Sequence, residues 1–307
     1  MPSLTSQVPR GDYFVWGEGE VQKGREVYVR PRSIEEALAA LAGGHAMPIC
    51  GGTDVFPSHV GRPVGRAVVD VSAISGLRGI SLQGGNYRIG GATTWSDIRS
   101  TKLPSAFAGL QAAAREVGSL QIQNRGTIAG NLCNASPAAD GIPPLLTLDA
   151  NVELQSARGT RVLPLQEFIT GYRQTLRAPD EILTAVLVKQ PADACCSSFV
   201  KLGARRYLVI SILMAAAALE RDSAGRIVHA AVAVGAASPV AMRLPDLERQ
   251  LIGLPESVTP SAVVSAKHME PLSPIDDVRA TAGYRLEAAM AITAQALDQA
   301  AFGVADA

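Results

Sequence analysis

The stretch Q-I-Q-N-R-G-T-I-A-G-N-L-C-N-A-S-P-A-A-D, Gln121 to Asp140, decides how the rest of the chain is read. Small and amide-bearing residues crowd it, yet apolar runs flank it on both sides, so it is no linker. Gly126 and Gly130 allow backbone geometries and close approaches that a Cβ would hinder. Thr127, Asn131, Asn134 and Ser136 add short hydrogen-bonding groups, and Pro137 and Asp140 close the segment. Two readings stand on composition. One is a surface gripping a ligand rich in polar oxygens, mainly through backbone. The other is an ordinary tight loop between a helix and a strand, built from turn-forming residues.

Upstream lies a second glycine stretch. Met47-Pro48-Ile49-Cys50 reads as a short apolar strand that breaks into Gly51-Gly52-Thr53-Asp54. A strand ending in paired glycines and a Thr presents backbone N–H groups to phosphate, but it also suits a plain turn. It is neither a Walker loop nor G-x-G-x-x-G. Around these two stretches the chain alternates short elements. Tyr28 lies in a strand stopped by Pro31, and Ser33 with Glu36 makes a capping box for a helix whose Ile34, Ala37, Leu38 and Leu41 share a face. Ala67 to Val71 reads as a strand, and Leu77 to Ile80 with Tyr87 to Gly90 as a hairpin about Gly84-Gly85-Asn86. Thr94 caps a helix over Trp95 to Ser100, and a second helix covers Ala106 to Val117. Downstream, Ile142 to Leu148 is helical with prolines in its first turn. Asn151 to Gln155, Arg161 to Leu163 and Glu181 to Val188 read as strands, and Leu165 to Thr170 as a short helix.

Past the small-residue connection Pro191 to Ser197 the pattern changes. Strands at Ser198–Leu202 and Ile227–Gly235, an apolar run at Ile210–Leu219, a helix at Leu244–Leu251 and a long helix over about Asp276–Leu297 predict an antiparallel sheet with helices on one face. The whole is α+β. Composition agrees: 307 residues, 47% apolar and 18% charged, support a large core and two domains. Net charge is zero, so no global basic field attracts nucleic acid or an anionic membrane. No run approaches a membrane span, and the first residues lack the apolar segment of a secretion signal. Cys50, Cys133, Cys195 and Cys196 have no C-x-x-C spacing, which argues against a cluster on this chain and fits a reducing, cytoplasmic setting.

With both glycine stretches placed, the chain resembles the FAD-binding medium subunit of the molybdenum hydroxylases, the xanthine dehydrogenase and carbon monoxide dehydrogenase flavoprotein type. The carrying blocks are P-I-C-G-G-T-D from Pro48, I-G-G-A-T-T from Ile89 and R-G-T-I-A-G-N-L-C-N-A-S-P-A-A-D from Arg125. L-Q-E-F-I-T-G-Y-R-Q-T from Leu165, P-D-E-I-L from Pro179 and F-V-K-L-G-A-R-R from Phe199 extend it in the same order. The resemblance implies an N-terminal extension over 1–25, a two-lobed PCMH-type FAD-binding domain over 26–192, and a smaller C-terminal flavoprotein domain over 196–300. It implies that Pro48, Ile49, Cys50, Gly51, Gly52, Thr53, Asp54 and Val55 wrap the FAD pyrophosphate. Thr127, Gly130 and Asn131 would complete the grip, with Val117 against the cofactor. Asp140 would accept from cofactor hydroxyls, Ile182 or Leu183 would lie near the ring system or adenine, and Lys201 would sit at the flavin edge. Partners implied are a small [2Fe–2S] subunit and a large molybdopterin subunit, in a dimer of heterotrimers. The family commonly has Gly-Gly-Asn where this chain has Ala129-Gly130-Asn131.

Two other readings stay open. A self-contained FAD-dependent oxidoreductase would act on its own small substrate, and a degenerate scaffold subunit would bind no flavin. Missing acid–base pairs weigh against the first, and intact Gly51-Gly52 and Gly130-Asn131 against the second. Among the remaining polar residues, Arg205 and Arg206 suit ion pairs or a subunit contact, Tyr172 suits a lobe interface, Cys133 suits a small buried hydrophobe, and the four histidines lack metal-ligand spacing. The substrate is not written in this chain.

Overall fold

In a computed structural model, residues 28–205 and 208–302 are described; the expected extension over 1–25 and Arg206 lie outside them. The first lobe is small. Strands β1 (Tyr28–Val29), β2 (Met47–Ile49) and β3 (Val68–Asp70) form a parallel sheet in the order β1-β3-β2. Helix α1 (Ile34–Leu41) crosses over between β1 and β2. Ser33 caps it as read, its Oγ accepting from Glu36 N, but Glu36 accepts from Arg32 N rather than from Ser33 N, so the reciprocal box is not closed. Ala37, Leu38 and Leu41 pack on Val69, Val71, Ile74 and Leu77, each Leu contributing about 1.5–3 kcal/mol by burial. A single turn, α2 (Val55–Ser58), follows the glycine pair.

The second lobe is built on a five-stranded antiparallel sheet. Its strands are β4 (Ile80–Gln83), β5 (Asn86–Gly90), β6 (Asn151–Ser156), β7 (Gly159–Pro164) and β10 (Ile182–Lys189), in the order β4-β5-β10-β6-β7. Helices α3 (Trp95–Ser100), α4 (Ala108–Glu116), α5 (Leu120–Gln123), α6 (Ile128–Asn134) and α7 (Ile142–Thr147) come between β5 and β6. After β7, a single turn α8 (Leu165–Phe168) leads into a hairpin of β8 (Ile169–Gly171) and β9 (Gln174–Thr175). Three expectations shift here. Leu77 belongs to a 3₁₀ turn rather than to the hairpin, and the helix expected to reach Thr170 stops at Phe168. The opening stretch is not a loop: it holds α5 and α6, separated by the turn at Asn124–Gly126.

The C-terminal domain is an antiparallel sheet, β11 (Cys195–Leu202), β12 (Leu213–Arg221), β13 (Ile227–Gly235) and β14 (Met242–Arg243), in sequential order. Its own helices, α9 (Pro245–Leu251) and α10 (Ala282–Phe302), cover one face, as read. The other face is covered too, by α4 and α7 of the FAD-binding side. This explains the alanine run of β12. Side chains alternate along a strand, so Ala215 and Ala217 meet the α9–α10 core, whereas Ala216 and Ala218 face the first domain. Small residues on both faces let both layers approach closely.

Candidate functional site

A cleft of about 820 Å³ separates the two lobes of the first domain. Every residue proposed from the sequence as cofactor-binding lines it except Asp140 and Lys201: Pro48 to Val55, Val117, Thr127, Gly130, Asn131, Ile182 and Leu183 are brought together. The two glycine stretches touch. A Cβ on Gly51 would lie 2.1 Å from the carbonyl oxygen of Arg125 and 3.1 Å from Gly126 Cα, so only glycine lets the loops meet. Gly52 adopts φ +69° with Phe56 packed over it.

The donors of this cleft divide sharply. Among the described residues, the backbone N–H groups of Gly51, Gly52, Thr53 and Asp54 have no protein acceptor. Unpaired consecutive amides of this kind form an anion-binding nest. The second stretch behaves otherwise. Ile128 N donates to Thr93 O, Ala129 N to Gly91 O, Gly130 N to Thr127 Oγ1 and Asn131 N to Thr127 O. Its backbone is therefore closed, with Thr127 serving as N-cap of α6. What it offers the cleft is the space at Gly130 and the side chain of Asn131, whose Oδ1 is buried without a partner. Trp95, fully buried, makes the floor, with its ring 3.3 Å from the position a Cβ on Gly126 would take.

Asp140 and Lys201 pair with each other. Lys201 Nζ donates to Asp140 Oδ2 at 2.7 Å and to the Glu116 carbonyl at 3.1 Å, and Ser211 Oγ donates to Asp140 Oδ1 at 2.6 Å. Both side chains are under 10% exposed, so each has its partner inside the protein. Burial pushes the Asp140 carboxyl above the ordinary carboxylate range, against the pull of Lys201 and Ser211. Lys201 also borders a smaller recess with Glu116, Leu202, Gly203, Arg205 and Val209.

The sequence reading missed Arg66, Arg173 and Arg177, which also line the cleft. Arg173 lies within the quoted block from Leu165, whereas Arg66 and Arg177 lie outside every quoted block. Cys133, expected as a small buried hydrophobe, is half-buried and lines the cleft; burial pushes its thiol up to about 11. Desolvation likewise raises Cys50 to about 11, so neither is a thiolate nucleophile at neutral pH. Tyr172 is exposed beneath the Arg173 guanidinium rather than at a lobe interface. Arg205 bonds the Leu208 carbonyl. No group of residues suited to a metal ion occurs among the described residues.

Comparison with known proteins decides the family. Residues 20–191 match the family described as the FAD binding domain in molybdopterin dehydrogenase, and residues 198–300 match the CO dehydrogenase flavoprotein C-terminal domain. The chain belongs to the FAD-binding subunits of the molybdenum hydroxylases. One relative in this family is the nicotinate dehydrogenase FAD-subunit of Eubacterium barkeri, 34% identical over 74% of this chain and 80% of its own length. Another is the putative xanthine dehydrogenase FAD-binding subunit XdhB of Escherichia coli K12, 31% identical over 89% and 95%. Among solved structures, carbon monoxide dehydrogenase of Hydrogenophaga pseudoflava superposes with a TM-score of 0.81 at 27% identity, covering 92% of this chain and 99% of that one. The family membership makes this chain the oxidoreductase FAD subunit of a multi-subunit dehydrogenase. No helix among the described residues is long and apolar enough to cross a membrane.

Proposed function

We propose that this chain carries electrons through FAD between the [2Fe–2S] clusters of a small subunit and an external acceptor, while a large molybdopterin subunit transforms the substrate. The observation that carries the reading is the run of four free amides, Gly51 to Asp54, on the wall of a cofactor-sized cleft. The cleft volume falls within the roughly 300–1,000 Å³ of small-molecule sites, and Asn131 and Gly130 line it from the second lobe.

In this reading Pro48, Ile49, Cys50, Gly51, Gly52, Thr53, Asp54 and Val55 surround the pyrophosphate, the amides replacing its water. Asn131 borders the cofactor, Gly130 leaves it room, and Thr127 holds α6 in place. Val117, Ile182 and Leu183 supply the apolar contacts that orient a ring. Asp140 and Lys201, paired with each other, sit at the flavin edge. When bound, FAD supplies the redox chemistry, and the protein supplies binding, orientation and tuning. The chain is placed in the cytoplasm, in a dimer of heterotrimers, with the FAD-binding domain over 26–192 and the C-terminal domain over 196–300.

The test uses the full chain with its co-expressed partners. The purified complex should hold stoichiometric FAD on this chain, and adding the large subunit's substrate should bleach the flavin band. A complex that assembles without flavin on this chain sinks the reading.

A further inference from the structure

The free amides do not account for the charge of the cleft. The chain has no net charge, yet the cleft lining sets three arginines, Arg66, Arg173 and Arg177, against one acid, Asp54. That is a local excess of two positive charges. Several arginines elsewhere are paired with acids, as Arg78 with Asp97, Arg88 with Glu153, Arg161 with Glu181 and Arg285 with Asp277, while Arg62, Arg99 and Arg221 bond neutral acceptors outside the cleft. The cleft arginines bond neutral acceptors too, and among the described residues none is joined to a carboxylate. Arg177 Nη1 is held by the carbonyls of Ala178 and Glu181 at 2.9 and 2.8 Å. Arg66 donates to Met47 Sδ at 3.1 Å, and Arg173 to Asn134 Oδ1 at 2.9 Å.

A guanidinium has five N–H donors in a rigid fork, so Arg66 and Arg173 keep most of theirs. They reach the cleft from opposite lobes. Arg66 lies just before β3, and Arg173 sits in the β8–β9 turn at φ +53°. That conformation is unfavourable for a non-glycine residue, and the bonds from Arg173 N to Ala135 O and from its side chain to Asn134 hold it there. Two exposed, uncompensated forks facing one cleft match an anion with two charges and several oxygens.

We infer that Arg66 and Arg173 are positioning residues that clamp the pyrophosphate of the ligand from both lobes, so that the site selects a dinucleotide flavin over neutral riboflavin. The inference rests on the FAD reading above. Its signature is electrostatic: attraction between exposed charges weakens with salt, whereas contacts to the flavin ring do not need the charge.

The experiment titrates the flavin-stripped full chain with FAD and with riboflavin at low and high NaCl, following flavin fluorescence, and repeats this with Arg66→Gln, Arg173→Gln and the double variant. ADP serves as competitor. Wild type should bind FAD in a salt-sensitive way and release it to ADP. Each Gln variant should weaken FAD about tenfold and flatten its salt dependence, leave riboflavin unchanged, and lose ADP competition in the double variant. Arg66→Lys should keep the salt dependence. If Arg173→Gln does not fold, Arg66→Gln decides alone, since its side chain is exposed. Wild type that takes up no FAD overturns the FAD reading and this inference together. FAD bound with wild-type affinity and salt slope by the Gln variants overturns the inference alone.

Discussion

Gly51 is where the two halves of the cleft touch, and its substitution tests the clamp directly. A methyl at 2.1 Å from Arg125 O cannot be absorbed by a side-chain rotation, because the obstacle is backbone. Gly51→Ala should therefore push the 125–126 turn away and abolish FAD retention, while circular dichroism and the C-terminal core stay as in wild type. Retained stoichiometric flavin would contradict the contact. Asn131 makes the opposite case. Its buried Oδ1 has no partner, and an unsatisfied buried acceptor costs about 1–3 kcal/mol. Asn131→Ala should leave the melting temperature of the flavin-free protein unchanged or higher, yet weaken FAD about tenfold. A lowered flavin-free melting temperature would show that the amide is structural. Residues of this kind were legible because glycine and asparagine at fixed spacing carry a backbone meaning. Arg66 was not, because a lone arginine in a loop is indistinguishable from a solvated one until the fold brings distant segments to one wall; Arg173 lay within a quoted block, but nothing in that block says which way its side chain faces.

At the scale of elements, caps were readable and irregular pieces were not. Thr94 forms a full capping box with Asp97 at the start of α3, and the prolines of α7 occupy its first turn; both follow from local hydrogen-bonding needs. The first two residues of β8, Ile169 and Thr170, read as the end of a helix, because no glycine or proline separates them from the helical turn before them. The start of α10 shows an element held by charge. Arg285, 2% exposed, donates to the carbonyls of Ile212 and Ala236 and to Asp277 Oδ1 at 2.6 Å. Arg279 first, and Arg285 after it, hold the Asp277 carboxyl well below the usual carboxylate range. A carboxyl depressed on folding stabilises the protein above its unfolded pKa of about 3.9, and the contribution is lost as pH falls below that. Asp277→Ala should cost about 3 kcal/mol at neutral pH, the lower end for a broken buried pair, because two carbonyl partners of Arg285 remain. The gap between wild type and variant in urea melts should shrink as pH drops below about 4. A gap that stays constant with pH would remove charge from the account.

For the whole molecule, the alanines of β12 bind the two domains into one unit. Ala216 belongs to a core shared with Ala113 of α4, and Ala218 and Ala233 to the large core beneath α7. The opposite face, through Ala215 and Ala217, belongs to α10. The sequence showed four alanines in an apolar run, which the structure makes a strand, but it could not say what pressed on each face. A sheet covered on one face by its own helices and on the other by the FAD-binding side should not unfold separately. Calorimetry of the full chain should give one transition, and saturating FAD should raise it by mass action even though the cofactor lies in the first domain. Ala216→Leu inserts bulk at the shared face and should destabilise by about 1–3 kcal/mol. If its effect is felt through the interface, the flavin-induced shift and the C-terminal unfolding should still move together in that variant. Two resolved transitions, with FAD raising only one of them, would mean that the shared face does not couple the domains.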